Sequence, residues 1–256
     1  RKTLAVMVPG HRKHNKTDII MKSILTVAFG LLCLCVFGQN NLGKRQKLLT
    51  QIPISDKKLE IPIYEDVKDT KLPFVYWHFS KQKEKQLGLR SPELDKNATI
   101  FRVWITNPIG MKNQPHGLVE ILKDSTGWNG RLILMSVNFN YNKLSETIIK
   151  SKIIELKPAE SDWTTIMDSL IYYKITELPT DEKISNYYTE AERYSNNSPT
   201  YSFEYSTTDN YRFIQYSNLY RAIDKFWQPQ NIEHILDLLE RNFSWDKTAR
   251  EYFRKN

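Results

Sequence analysis

Apolar and polar residues alternate over residues 100–106, with Phe101, Val103 and Ile105 on one side and Arg102, Trp104 and Thr106 on the other. This period of two predicts a β-strand. Residues 117–123, 131–139 and 147–156 read as three further strands, the last closed by Pro158. The segment 124–130 between the second and third, Asp-Ser-Thr-Gly-Trp-Asn-Gly, has turn chemistry. Loops this short argue for an antiparallel meander, because parallel pairing needs long crossovers. Upstream, residues 74–79 (Phe-Val-Tyr-Trp-His-Phe) are rich in strand formers and read as a first strand, weakened by Pro73.

The period then changes. Ser161 or Asp162 is placed to cap a helix in which Trp163, Ile166, Met167, Leu170 and Ile171 form one apolar stripe. Residues 180–199 are polar and read as a surface loop with a short helical piece. Residues 200–206 and 211–216 flank a Thr207-Thr208-Asp209-Asn210 turn and predict a hairpin. Pro229 is placed to open a last helix at its first position, with Ile232, Ile235, Leu236, Leu239 and Phe243 on one face. The tail after Asp246 adds an amphipathic turn or two. Residues 39–73, interrupted by Pro53 and Pro62, read as an extended N-terminal arm. The expected architecture is one α+β domain over residues 74–256. It has a single antiparallel sheet (meander plus C-terminal hairpin) with two amphipathic helices packed on one face.

The run Asp162-Trp163, Leu178-Pro179, Tyr211-Arg212-Phe213, Tyr216-Ser217-Asn218 and Asn231-Ile232-Glu233-His234-Ile235-Leu236 resembles a group of secreted proteins of Gram-negative bacteria. The likeness covers about the last hundred residues and consists of packing and turn residues. It implies compartment and fold, and no activity.

The N-terminal sequence points the same way. Lys22 precedes an apolar run over residues 24–37, followed by Gly38 and polar Gln39-Asn40-Asn41. That is the layout of a cleaved secretory signal, and the run is shorter than the roughly 20 residues of a membrane span. Residues 21–38 are therefore expected to be removed, leaving no membrane span. Residues 1–20, upstream of Met21, are read as translated upstream sequence. The expected compartment is the periplasm or the cell exterior.

This exclusion changes the electrostatics. The formal charge of +8 takes much of its excess from Arg1, Lys2, Arg12, Lys13, Lys16 and Lys22. From Gln39 onward, 31 basic residues face 28 acidic ones, interspersed as on an ordinary solvated surface. A nucleic-acid partner loses its support. Both cysteines, Cys33 and Cys35, also fall in the leader. The mature chain is thus expected to have neither disulfide nor thiol chemistry.

Chemistry-bearing motifs are sparse. The mature chain has His78, His116 and His234, with no H-E-x-x-H spacing, and it has no G-x-S-x-G, G-x-x-x-x-G-K or G-x-G-x-x-G. No metal and no cofactor is expected. Were the protein a hydrolase, His78 or His116 would act with Glu120 or Glu204. Arg102 and Arg212 are placed to pair with those carboxylates across the sheet. The one excess is aromatic: eight tyrosines between Tyr187 and Tyr220. Tyr suits recognition of glycans, peptides or proteins, and it is equally a strand and core residue. Tyr201, Phe203 and Tyr205 are expected to pair with Tyr211 and Phe213 under the helices. Tyr216, with Arg212, Tyr220 and Tyr194, would then form an exposed binding patch. The reading favoured is an exported, non-enzymatic module that binds an envelope protein or glycan; the alternative is the hydrolase.

Overall fold

The computed structural model describes residues 51–64, 72–73, 75–107, 114–140, 142–190 and 198–255. The leader and Tyr194 lie outside the described residues. The strands are β1 (Lys58–Glu60), β2 (Ile63–Tyr64), β3 (Leu72–Pro73), β4 (Thr99–Thr106), β5 (Gln114–Asp124), β6 (Gly127–Asn140), β7 (Ser145–Leu156), β8 (Thr200–Ser206) and β9 (Asn210–Ser217). The helices are α1 (Val75–Leu87), α2 (Trp163–Tyr172), α3 (Tyr187–Glu190), α4 (Leu219–Ala222), α5 (Trp227–Phe243) and α6 (Trp245–Lys255), with a 3-10 turn at Asp181–Lys183. No helix among the described residues is long and apolar enough to cross a membrane.

Among the described residues, seven strands form one sheet in the order β1-β9-β8-β4-β5-β6-β7, and β2 pairs with β3 separately. The expected antiparallel sheet is in fact mixed, because β1 joins parallel to β9. Part of the N-terminal arm is therefore a sheet strand, held at its far end by the Arg212–Glu60 ion pair at 2.6 Å. The α+β class stands.

Residues 75–79 are helical, not a strand. Aromatic residues favour strands only where a pleated surface receives them. Here they continue into Ser-Lys-Gln-Lys-Glu-Lys-Gln-Leu, straight-chain residues that favour the helix. Gly88, at φ +63°, ends α1 with bonds from Gly88 N to the Lys85 carbonyl and Leu89 N to the Glu84 carbonyl. This is a Schellman ending, in which a left-handed residue satisfies the last free carbonyls. α2 is capped as expected: the Asp162 carboxylate accepts from Thr165 N at 2.8 Å.

The helices do not all share one face. Phe101, Val103, Val119, Leu132 and Leu134 pack with Ile166 and Leu170 of α2 and with Ile232, Ile235 and Leu239 of α5. On the opposite face, Trp77 of α1 packs with Tyr211 and Phe213, and Leu87 packs against Trp104, Leu118, Ile133 and Met135. Both faces of the central strands are buried. The even-numbered positions of β4 are core positions as well.

Two local corrections follow. Gly130 is not a turn residue but lies within β6, where an added Cβ would stand 2.3 Å from Cη2 of Trp163. The missing side chain makes room for that indole, a common reason for glycine inside a strand. In the hairpin, β8 and β9 pair Tyr201 with Tyr216, Phe203 with Ile214, and Tyr205 with Arg212. Tyr216 therefore shares the face of Tyr201 and Phe203. Tyr211 and Phe213 lie on the α1 face. A shift of one position inverts every assignment on a strand.

Candidate functional site

The register of the sheet brings charges distant in the sequence together. Arg102 on β4 stands opposite Glu120 on β5 and opposite Glu204 on β8. α1 lowers Lys81 and Glu84, one turn apart, onto the same spot. Arg102 Nε donates to Glu120 at 2.6 Å, Nη1 to Glu84 at 2.6 Å and to Glu204 at 3.4 Å, and Nη2 to the Arg90 carbonyl at 2.8 Å. Lys81 Nζ lies 2.8 Å from Glu84, 2.7 Å from Glu93 and 3.0 Å from Glu204. Glu204 also accepts from Trp104 Nε1 at 2.9 Å and Tyr211 OH at 2.7 Å, and Trp77 Nε1 donates to that hydroxyl at 3.0 Å. Arg131, at the edge of the group, holds the other oxygen of Glu120 at 2.7 Å.

The side chains of this cluster other than Arg131 are buried. Burial alone would raise the Glu204 carboxyl, but Lys81 and Arg102, with the Trp104 and Tyr211 hydrogen bonds, pull it down to about 2. Burial likewise opposes the charge on Lys81, and Glu204, Glu84 and Glu93 outweigh it and raise its pKa. Glu84 is raised, by burial first and by its neighbours Glu204 and Glu93. A buried carboxylate normally carries charge only where cations and donors replace its water. Every carboxylate here is held that way, so the cluster is a polar core that pins α1 to the sheet.

The hydrolase candidates divide between this cluster and its surroundings. Glu120 and Glu204 flank Arg102 and are buried ion-pair partners, not solvent-facing strand carboxylates. His116 is buried beside Lys83, 3.4 Å from Nδ1, and burial followed by the Lys83 charge holds its pKa well below the usual imidazole value. His78 lies on α1, its Nε2 2.9 Å from the Leu144 carbonyl and 2.8 Å from Gln82 Nε2; burial lowers its pKa too. The structure thus places these residues in the packing between α1 and the sheet.

The expected exposed tyrosine patch does not form. Tyr216 is a core residue whose hydroxyl donates to the Pro179 carbonyl at 2.5 Å. Arg212 is spent on Glu60 and on the carbonyls of Ile175 and Leu178, at 3.2 and 3.0 Å, closing the loop after α2. Tyr220 is exposed and shares a 3.2 Å hydrogen bond with the hydroxyl of Tyr201.

Beside Tyr216 the structure buries a carboxyl that no sequence pattern singles out. Asp181 accepts from Ser217 N at 2.8 Å, yet burial raises its pKa to about 7. A carboxyl whose folded pKa lies above its unfolded value stabilises the fold below the unfolded pKa, and that contribution is lost as pH rises through the folded one. Asp181→Asn should therefore gain stability relative to the native chain, by roughly 1–4 kcal/mol, as pH rises from about 4 to about 8. Paired thermal melts across that range would show it, and a difference that does not change with pH would refute it.

An open site exists on the other face of the sheet. Tyr201, Ile105, Gly117 and Leu134 are direct cross-strand neighbours and form one row over β8, β4, β5 and β6. Helix α6 crosses above this row. Between them is a cleft of about 370 Å³ lined by Ile105, Leu132, Leu134, Trp245, Ala249 and Phe253, among others. Gly117 matters to the floor: the space its side chain would fill lies 3.3 Å from Ile105 Cδ1. Polar residues around the cleft include Asn107, His116, Tyr201 and the Asp246–Arg250 ion pair on α6. The volume falls within the range of small-molecule sites, which are mostly apolar with a few polar groups. In sequence, Gly117 reads as a strand start and the tail after Asp246 as an amphipathic turn or two, so only their meeting in space reveals the cleft.

Among the described residues no group of three or more His, Cys, Asp or Glu is arranged to hold a metal ion. No family model, no curated protein and no solved structure matches this chain.

Proposed function

We propose that this protein is an exported binding module that takes the apolar part of a small amphiphile into the cleft beneath α6. The observation that carries the reading is the row Tyr201–Ile105–Gly117–Leu134, left open at its centre by a glycine and roofed by Trp245, Ala249 and Phe253. Apolar walls supply the affinity, and Arg250, Asp246 and the Tyr201 hydroxyl offer hydrogen bonds to a polar end. The charged cluster under α1 has no part in it, because its groups already satisfy one another. Export rests on the signal-like segment 21–38 and on the resemblance of the last hundred residues to secreted proteins.

The probe is 1-anilinonaphthalene-8-sulfonate, a fluorescent anion with an apolar ring system, titrated into the full chain. Saturable binding is expected. Ala249→Trp, which fills the cleft from a half-buried position on α6, should weaken that binding at least tenfold while leaving the melting temperature close to native. Unaltered affinity in this variant, or no saturable binding to the native chain, overturns the reading.

A further inference from the structure

Among the described residues, strand β7 is the last in the sheet order and pairs with β6 alone. At twelve residues it is a long edge strand, and edges of that length are usually covered or blunted. Among the described residues, only its first part is covered. Gln82 and Gln86 of α1 reach over it, accepting from Glu146 N at 2.8 Å and Ile148 N at 2.9 Å, and Gln86 donates to the Glu146 carbonyl at 2.8 Å. Those side chains occupy the outward backbone groups at which another strand would pair. Opposite Ser136 and Val137 the register then shifts and skips Ile149, a bulge that separates the covered part from the rest. Beyond it, residues 150–153 are all exposed, and Ile153 keeps 56% of its surface in water.

We propose that residues 150–156 are a dimerisation edge, with the same segment of a second copy as the occupant. The argument is self-complementarity. In an antiparallel pair with its two-fold axis at Ile153, that residue meets its own copy, Lys152 faces Ile154, Ser151 faces Glu155 and Lys150 faces Leu156. No two like charges stand directly opposite, Ser151 can donate to a carboxylate, and two exposed isoleucines cover each other. A pairing centred on Ser151 fails the same test, because it sets Lys150 against Lys152 and Ile153 against the bulged Ile149. Lysines on an edge strand ordinarily discourage pairing. Here the Ile153-centred register places each of them against an aliphatic neighbour, so they do not oppose this pairing. The two sheets become one of fourteen strands, joined by an isologous contact. Seven residues of edge make a small interface, so the dimer is a micromolar one.

Sedimentation velocity of the full chain carrying Cys33→Ser and Cys35→Ser, over roughly 1–300 µM, is the first test. A concentration-dependent dimer is expected, and Ile153→Lys should weaken it at least tenfold. The register is tested separately. Adding Ile153→Cys should give a disulfide-linked dimer under mild oxidation, whereas Ser151→Cys in its place should give little. A chain that stays monomeric throughout, a dimer indifferent to Ile153→Lys, or cross-linking through position 151 in preference to 153 overturns the proposal. Because Ile153 lies outside the cleft beneath α6, the outcome is independent of probe binding there.

Discussion

Replacing Arg102 by Met is expected to cost about 3–5 kcal/mol, the usual loss when one partner of a buried ion pair is removed. Met matches much of the aliphatic length of arginine, so the loss is electrostatic rather than a cavity. Glu84, Glu120 and Glu204 would each lose a cationic donor, while Lys81 and Arg131 would remain for only some of the oxygens. Glu204 is the most exposed to this change, because Arg102 and Lys81 together hold its pKa at about 2 against the effect of burial. Its pKa should rise in the variant. Since its folded value is depressed, its contribution to stability is present above the unfolded pKa and lost as pH falls through the folded one. The gap between native and Arg102→Met should accordingly be wide at pH 7 and narrow on acidification. Urea unfolding at the two pH values measures it. Arg102→Lys should fall between the two, since an ammonium cannot match the fork by which one guanidinium reaches three carboxylates and the Arg90 carbonyl. Combining Arg102→Met with Glu120→Gln and Glu204→Gln should recover part of the loss by removing the stranded charges. A single variant no less stable than the native chain would show that the cluster does not hold α1 in place.

The second large effect is expected at Trp77. Its side chain is fully buried between α1 and β9, against Tyr211, Phe213 and Ile61, and its indole N–H donates to the Tyr211 hydroxyl. Trp77→Ala should cost about 3–5 kcal/mol, from the apolar area returned to water and the cavity left behind. Trp77→Phe should cost much less, because it keeps most of the ring volume and loses a single neutral hydrogen bond, worth about 1 kcal/mol. Tyr211 keeps its bond to Glu204 in both variants. Denaturant midpoints should shift with an unchanged slope. A Trp77→Ala midpoint within error of native would mean that α1 is not docked on β9 through this residue.

These two sites also mark what could and could not be read from the residues in order. Strands β4 to β7, the hairpin β8–β9, the cap at Asp162 and the apolar stripes of α2 and α5 were legible, because each is written in local period, turn chemistry or capping. The pairing of Arg102 with Glu120 and Glu204 was legible as a possibility, since all three sit on strands. Its burial was not. A charged residue at an even strand position reads as outward until a second layer covers that face, and the second layer was α1, whose aromatic first turn carries strand propensity.

The binding patch failed for a related reason. Which face Tyr216 occupies depends on the register of a hairpin, and a shift of one position exchanges the two faces. The register Tyr201–Tyr216 puts it in the core. Parallel pairing of β1 with β9 joins residues about 150 positions apart, and no local pattern encodes it. By itself, then, the sequence determined strands β4 to β9, helices α2 and α5, the α+β class and the scarcity of catalytic motifs, which rest largely on contacts a few residues apart. Tertiary structure alone decided which strand face is covered, which charges meet beneath α1, that Gly117 opens a cleft under α6, and which length of β7 remains uncovered. These depend on long-range packing, where the surroundings of a side chain are set by residues far away in the chain.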